Sequence, residues 1–205
     1  METRIGFGFD SHVFKPGVTL RIGGMTLDHP EGLAGHSDGD VLLHAITDAL
    51  LGAVAAGDIG SFFPPGDPRW KDADSAIFLK LGLEELQHAG FRIVNIDTTL
   101  ILNTPKIGPI AGEMRARVAE LLGVEMDQVS IKAKTPEGLN LDHVAQCHAV
   151  ALVQRVLEAD ELKTMTAVIE SQRELEDVVE DLLSSVHGSS RKRGDPPFYD
   201  TEDIT

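Results

Sequence analysis

The sequence predicts an α+β protein, an α/β two-layer sandwich in which helices cover one face of a mixed sheet. Three observations carry that prediction. Through the first 155 residues, stretches of strand-like apolar pattern exchange with stretches of helical spacing, and elements alternating in this way pack as one sheet under helices. An apolar share of 42% beside 25% charged residues is the composition of a globular domain that buries a core. No internal repeat is present, and 205 residues suit one domain of about 150 residues with an appendage.

Taken in order, Arg4 to Phe9 and Leu20 to Leu27 read as short strands forming an N-terminal hairpin. Gly23-Gly24 interrupts the second, the mark of a bulge or a close backbone approach. From Ser37-Asp38-Gly39-Asp40 the pattern changes. Capping residues are followed by Val41, Leu42, Ala45, Ile46, Ala49 and Leu50 at helical spacing, with Gly57 at or just past the end. Ser61 to Lys71 is a Pro/Gly-rich loop. Asp74 to Ala89 reads as a second helix that Gly90 stops, Phe91 to Leu102 as a strand, Pro109 to Leu122 as a third helix and Val129 to Lys134 as a strand. Gln146 to Val153 fits either a strand or a helix start.

Charge divides the chain. Residues 1 to 155 carry 13 basic and 20 acidic residues, and residues 156 to 205 carry 5 and 13, so the net charges are −7 and −8. We therefore divide the chain into a main domain over 1–155, an amphipathic helical extension over 156–187 and a disordered tail over 188–205. In the extension, Met165, Val168, Gln172, Leu175, Val179, Leu182 and Val186 alternate by three and four. That spacing suits either self-association or a helix packed on its own domain.

A net charge of −15 excludes a general nucleic-acid binder, since polyanions are held through clustered Lys and Arg. The only basic run is Arg191-Lys192-Arg193. No stretch approaches the ~18 apolar residues of a membrane span, and Met1 to Arg4 lead into a strand without a signal-peptide core. With Cys147 as the single cysteine, a cytoplasmic setting is expected.

Several groups of residues suggest chemistry. Asp10 and His12 project to one side of an extended chain, and His44 on the first helix can join them. An aspartate with two histidines and an open fourth position suits a catalytic zinc ion. Gly35-His36-Ser37-Asp38-Gly39-Asp40 precedes the same helix, where backbone N–H groups either hold a phosphate or are capped by Ser37 or Asp38. Asp40, four residues before His44, either orients that imidazole or is a solvated first-turn acid. Asp58-Ile59-Gly60, Thr104-Pro105-Lys106 and Lys132-Ala133-Lys134-Thr135-Pro136-Glu137 close predicted elements, where loops meet ligands. Lysines with a threonine suit phosphate, and Glu137 suits Mg²⁺ shared with phosphate oxygens. His29, His88, His143 and His187 read as surface residues, and Cys147-His148 as a core thiol beside a half-exposed ring.

The order of these motifs resembles the 2-C-methyl-D-erythritol 2,4-cyclodiphosphate synthase family over roughly residues 4 to 153. Its signature is His36-Ser37-Asp38-Gly39-Asp40 with His44 four residues on, then Thr47-Asp48-Ala49-Leu50-Leu51-Gly52, preceded by Gly8-Phe9-Asp10-Ser11-His12. The resemblance implies a homotrimer with active sites at subunit interfaces. It also implies a reaction in which 4-diphosphocytidyl-2-C-methyl-D-erythritol 2-phosphate yields the cyclodiphosphate and CMP, in non-mevalonate isoprenoid precursor synthesis. On matching motifs, one Zn²⁺ per subunit falls to Asp10, His12 and His44, and Mg²⁺ or Mn²⁺ to Glu137. His36 and Ser37 then hold the methylerythritol phosphate, Asp58 and Gly60 the ribose hydroxyls, and Thr104 to Gly108 with Lys106 the cytosine and nucleotide phosphates. Thr135 contacts the diphosphate, so Thr135 and Glu137 are the expected catalytic residues.

The chain departs from the family pattern in three places. Gly138 to Gln146 lacks the arginine and glycine-rich run that lines the trimer axis in many members. Pro65 stands where many relatives place an aspartate, with Asp67 as a candidate substitute. Residues after 155 exceed the usual family length. Competing readings are a metal-dependent phosphohydrolase and a non-catalytic nucleotide-binding scaffold.

Overall fold

The structure, a computed structural model, describes residues 2–64, 66–157 and 159–189. It divides after Val156 into two units. The first unit is built on a five-stranded mixed sheet in the order β4-β1-β7-β5-β6. Here β1 is Thr3–Pro16, β4 Glu31–Leu33, β5 Phe91–Ile101, β6 Val129–Lys134 and β7 Val144–Arg155. β7 lies antiparallel between β1 and β5, while β5 and β6 run parallel. The segment the sequence left open is thus a strand, and its period is two: Ala145, Cys147, Ala149, Ala151 and Val153 are all buried.

Three expectations are corrected. Leu20 to Leu27 is not one strand but a separate hairpin of β2 (Leu20–Ile22) and β3 (Met25–Leu27). Gly23 and Gly24, with φ of +68° and +72°, form the two-residue turn, since a tight reversal needs left-handed backbone at both positions. β1 does not pair with this hairpin, as its partners are β7 and β4. β1 also runs on past Phe9 to Pro16, so Asp10 and His12 lie inside the strand.

Helices α1 (Val41–Ala53), α3 (Ser75–His88) and α4 (Ala111–Leu122) cover one face, and the four-residue α2 (Ile59–Phe62) follows α1. Eleven residues of α1 are buried, which places it between the sheet and α3. α1 sits on β1 through small residues. A β-carbon at Gly6 would lie 1.8 Å from the Ala49 carbonyl oxygen, and one at Gly8 would lie 1.9 Å from that of Ala45. The opposite sheet face carries exposed apolar side chains, with Ile5 at 70% and Phe7 at 60% exposure, joined by Phe9, Val13 and Val150.

The second unit holds α5 (Ala159–Ser189), where Val168, Leu175, Val179 and Leu182 of the predicted heptad are exposed. Residues 190–205, most of the stretch read as disordered, lie outside the described residues, as does Pro65. Among the described residues, no helix is long and apolar enough to cross a membrane.

Candidate active site

Asp10 and His12 stand two apart on the helix-covered side of β1, and α1 delivers His44 above them. The start of α1 is fixed by Asp40. Its Oδ1 accepts N–H bonds from Leu42 (3.1 Å), Leu43 (3.0 Å) and Gly23 (2.9 Å), and its Oδ2 accepts one from Gly24 (2.7 Å). Burial pushes the Asp40 carboxyl up in pKa, and these backbone donors oppose that push. The cap is therefore neither Ser37 nor Asp38, and Asp40 ties the β2–β3 turn to the helix instead of orienting His44. The Leu42 and Leu43 N–H groups, open to a phosphate on sequence grounds, are filled by the protein's own carboxylate.

Three donor atoms converge. Asp10 Oδ2 lies 2.9 Å from His12 Nε2 and 2.9 Å from His44 Nδ1, and the two nitrogens are 3.2 Å apart. A tetrahedral ion with bonds of about 2.0–2.2 Å sets its ligand atoms about 3.3–3.6 Å apart, so this group fits a metal with a slight opening of the triangle. The donor set, one carboxylate and two imidazoles, is that of a catalytic rather than a structural site. Burial raises the Asp10 pKa, but bonds to His12 and His44 outweigh it and hold the carboxyl well below the usual carboxylate range. His12 shows the mirror effect: burial lowers its pKa, and Asp10 raises it further, to a net value above 6.5.

The far side of the His44 ring is also engaged. Its Nε2 lies 2.8 Å from Ser75 Oγ and 3.1 Å from Ser37 Oγ, and its face packs on Phe78 with ring centroids 5.8 Å apart. Phe63 and Trp70 stack on Phe78 in turn, so these loop aromatics support the site from behind.

A second feature lies at the same end of the sheet. A cavity of about 360 Å³ is lined by Pro105, Lys106, Gly108, Lys134 and Thr135 among others. Parallel pairing of β5 with β6 brings these two loops together, with Ile101 opposite Lys134. Asp10 and Leu100 both pair with Cys147, so these two strand positions are level, about 10 Å apart across two strand spacings, and β5 leads from Leu100 into the 104–108 loop. Thr135 Oγ1 donates to Glu137 Oε1, and Lys106 Nζ donates to the Asn103 carbonyl at 3.2 Å. Lys132, a candidate phosphate contact, is instead paired with Asp97 at 2.6 Å.

The remaining candidates are dispersed. His36 is exposed beside buried Ser37. Asp58 caps α2 by accepting from the Ser61 N–H (2.8 Å) and hydroxyl (2.6 Å), which lowers its pKa, and Gly60 follows inside α2. Asp48 holds this turn against α1 by accepting from Ile59 N–H at 2.8 Å. Asp67 is occupied by Arg69, with its Oδ2 2.6 Å from Nη2. His29, read as a surface residue, is half-buried. Its Nε2 lies 3.0 Å from Thr104 Oγ1 and its Nδ1 2.7 Å from the Glu31 carbonyl, which joins the approach to β4 with the 104–108 loop. Cys147 is buried, burial pushes its thiol pKa up, and His148 turns to the opposite face against Phe9 at 4.9 Å, as the alternation predicts.

Comparison with known proteins agrees with this arrangement. A family model described as the YgbB family matches residues 3–154. A protein of Koribacter versatilis named 2-C-methyl-D-erythritol 2,4-cyclodiphosphate synthase is 60% identical over 152 residues, 74% of this chain and 98% of its own length. One of the same name from Moorella thermoacetica is 54% identical over 136 residues, 66% of this chain and 83% of its own. A solved 2C-methyl-D-erythritol-2,4-cyclodiphosphate synthase in a CDP-bound form superposes with a TM-score of 0.70 at 37% identity, covering 74% of this chain and all of that one. Since the match runs from residue 3 to residue 154, well over half of the chain, the protein belongs to the YgbB family.

Proposed function

We propose that the protein converts 4-diphosphocytidyl-2-C-methyl-D-erythritol 2-phosphate into 2-C-methyl-D-erythritol 2,4-cyclodiphosphate and CMP. An oxygen of the 2-phosphate bonds to the β-phosphorus while the bridge to the α-phosphate breaks, and CMP leaves with that electron pair. The convergence of Asp10, His12 and His44 carries the reading, alongside relatives of that name over nearly their whole length. A phosphohydrolase needs a positioned water as well, and a scaffold has no use for three ligand atoms packed on one point.

In this reading Asp10, His12 and His44 hold Zn²⁺, and Glu137 holds Mg²⁺ or Mn²⁺. Bound there, the two ions offset the repulsion between phosphate groups. The chain's own part is placement. Lys106 and Thr135, which both line the cavity, are assigned to the nucleotide phosphates, and Thr104 to the cytosine side. His36 and Ser37 are assigned to the methylerythritol phosphate, Asp58 and Gly60 to the ribose hydroxyls, and Asp67 to the substrate diol once released from Arg69. No side-chain nucleophile is required, because holding two groups of one substrate at attack distance lowers the barrier. Residues 1–155 carry this activity, with 156–187 as a helical extension and 188–205 as a tail. The apolar sheet face around Phe7 supports a homotrimer with sites between subunits, and the lone buried Cys147 suits a cytoplasmic setting.

The test is ³¹P NMR of the purified protein with this substrate, Zn²⁺ and Mg²⁺. Cyclodiphosphate and CMP resonances are expected together. Inorganic phosphate or linear products would favour a hydrolase, and bound CMP without turnover a scaffold. His44→Ala should lose zinc and nearly all turnover while keeping the far-ultraviolet signature of the fold; full activity in that variant would refute the ligand assignment.

A further inference from the structure

Ser75 and Asp38 have no part in the assignments above. Ser75 is the first residue of α3 and is fully buried, yet Asp74 supplies the cap of that helix, so the Ser75 hydroxyl is not needed for capping. Its Oγ donates to Asp38 Oδ1 and lies 2.8 Å from His44 Nε2. Asp38 is surrounded by donors: the N–H of Asp40 at 3.3 Å, the N–H of Ser75 at 3.2 Å, and Arg21 Nη1 at 3.8 Å.

Proton counting sets the direction of this chain. A serine hydroxyl has one proton, and here the carboxylate receives it. Ser75 Oγ therefore offers His44 only a lone pair, so Nε2 must carry the N–H. A neutral imidazole holds one such proton, which leaves the Nδ1 lone pair for a cation; without a cation, Nδ1 shares a proton with the Asp10 carboxylate that it helps hold low. Nδ1 is the atom that faces Asp10 Oδ2 and His12 Nε2.

We infer that Asp38 and Ser75 form a relay that fixes His44 as its Nε2–H tautomer and so presents Nδ1 to the metal. Both are positioning residues, acting through His44 and touching no substrate. The inference rests on the reading of Asp10, His12 and His44 as a zinc site.

Ser75→Ala removes the hydroxyl but leaves the Asp74 cap and the Asp38 bond to the backbone N–H. Competition with a chromophoric chelator on the full chain should show zinc bound about 10–100-fold more weakly. In ¹H–¹⁵N spectra of the histidine rings of the zinc-loaded protein, the His44 Nε2–H should exchange slowly with water in the wild type and faster in the variant. Ser75→Thr, which keeps a hydroxyl, should restore both. Ser37 Oγ offers the same N–H a second acceptor, so the Ser37→Ala/Ser75→Ala pair should shift both readouts at least as far. A role in packing alone would lower the melting temperature and move neither. Zinc affinity within about twofold of wild type, or an unchanged Nε2–H exchange rate in the paired variant, would overturn the inference and leave the zinc site standing. Should Ser75→Ala fail to fold, Asp38→Asn tests the same relay, with weaker zinc binding expected. A wild-type protein that binds no zinc would overturn the metal reading and this inference with it.

Discussion

At Gly6 and Gly8 the missing side chains let α1 rest directly on β1, with room for a β-carbon absent by more than an ångström. That close approach brings His44 down to Asp10. Gly8→Ala should therefore force the helix outward, at a cost of about 1–3 kcal/mol in stability, and weaken zinc binding as well. Thermal melts with a chelator titration would check this, and wild-type values in both would refute it. The acid–base state of the cluster makes a separate prediction. His12 has a folded pKa above 6.5, through Asp10 chiefly, with the Ala34 backbone and Asp40 adding to it. In metal-free protein its contribution is fully present below pH about 6.5 and is lost as pH rises through the raised value. Asp10, held low, contributes above about pH 4 and loses that contribution only as pH falls towards its depressed value. Metal-free protein should thus melt at a higher temperature near pH 6 than near pH 8, and His12→Ala should flatten the difference. On the proposed zinc reading, the ion has to displace the His12 proton, so the stabilisation it adds should grow with pH.

Elements with a strong period were legible in the sequence: α3, α4, β5 and β6 fall within two residues of their predicted bounds, and α1 starts where predicted but ends at Ala53, short of Gly57. The misses have particular causes. β1 was cut short because its core-facing positions turn from glycine to Asp10 and His12, where apolar alternation no longer marks a strand. The β2–β3 hairpin was read as one strand because a two-residue reversal leaves the apolar pattern almost unbroken across Gly23-Gly24. The candidate ligands Asp10, His12 and His44 were legible because the motif spaces them. The Asp38–Ser75–His44 contacts were not, since only the packing of α3 against α1 joins residues 31 apart in sequence. The α5 extension lies beyond the family match, which ends at residue 154. Removing residues 156–205 should leave turnover within about twofold while lowering the temperature at which the assembly dissociates. A large fall in turnover with an unchanged sedimentation profile would refute this.

The whole molecule turns on which face of β1 is the inside. In Ile5-Gly6-Phe7-Gly8-Phe9 the large residues suggest a core face, yet the glycines are the ones that meet α1, because only they admit a helix so close. Ile5, Phe7 and Phe9 consequently line the open side of the sheet, where His148 lies against both phenylalanines with ring centroids 5.9 and 4.9 Å away. A contiguous apolar surface of this kind is uncommon on a lone subunit and marks a contact face. If copies of the chain meet there, each copy loses its exposed sheet side, and the metal cluster of one subunit can be completed by the nucleotide loops of another. Phe7→Glu would place a charge in that contact without touching the α1 side. On the proposed assembly, sedimentation should then show a shift from trimer to monomer, circular dichroism should stay close to wild type, and turnover should fall by at least about tenfold. A monomeric variant that keeps full turnover would show that one subunit holds the whole site.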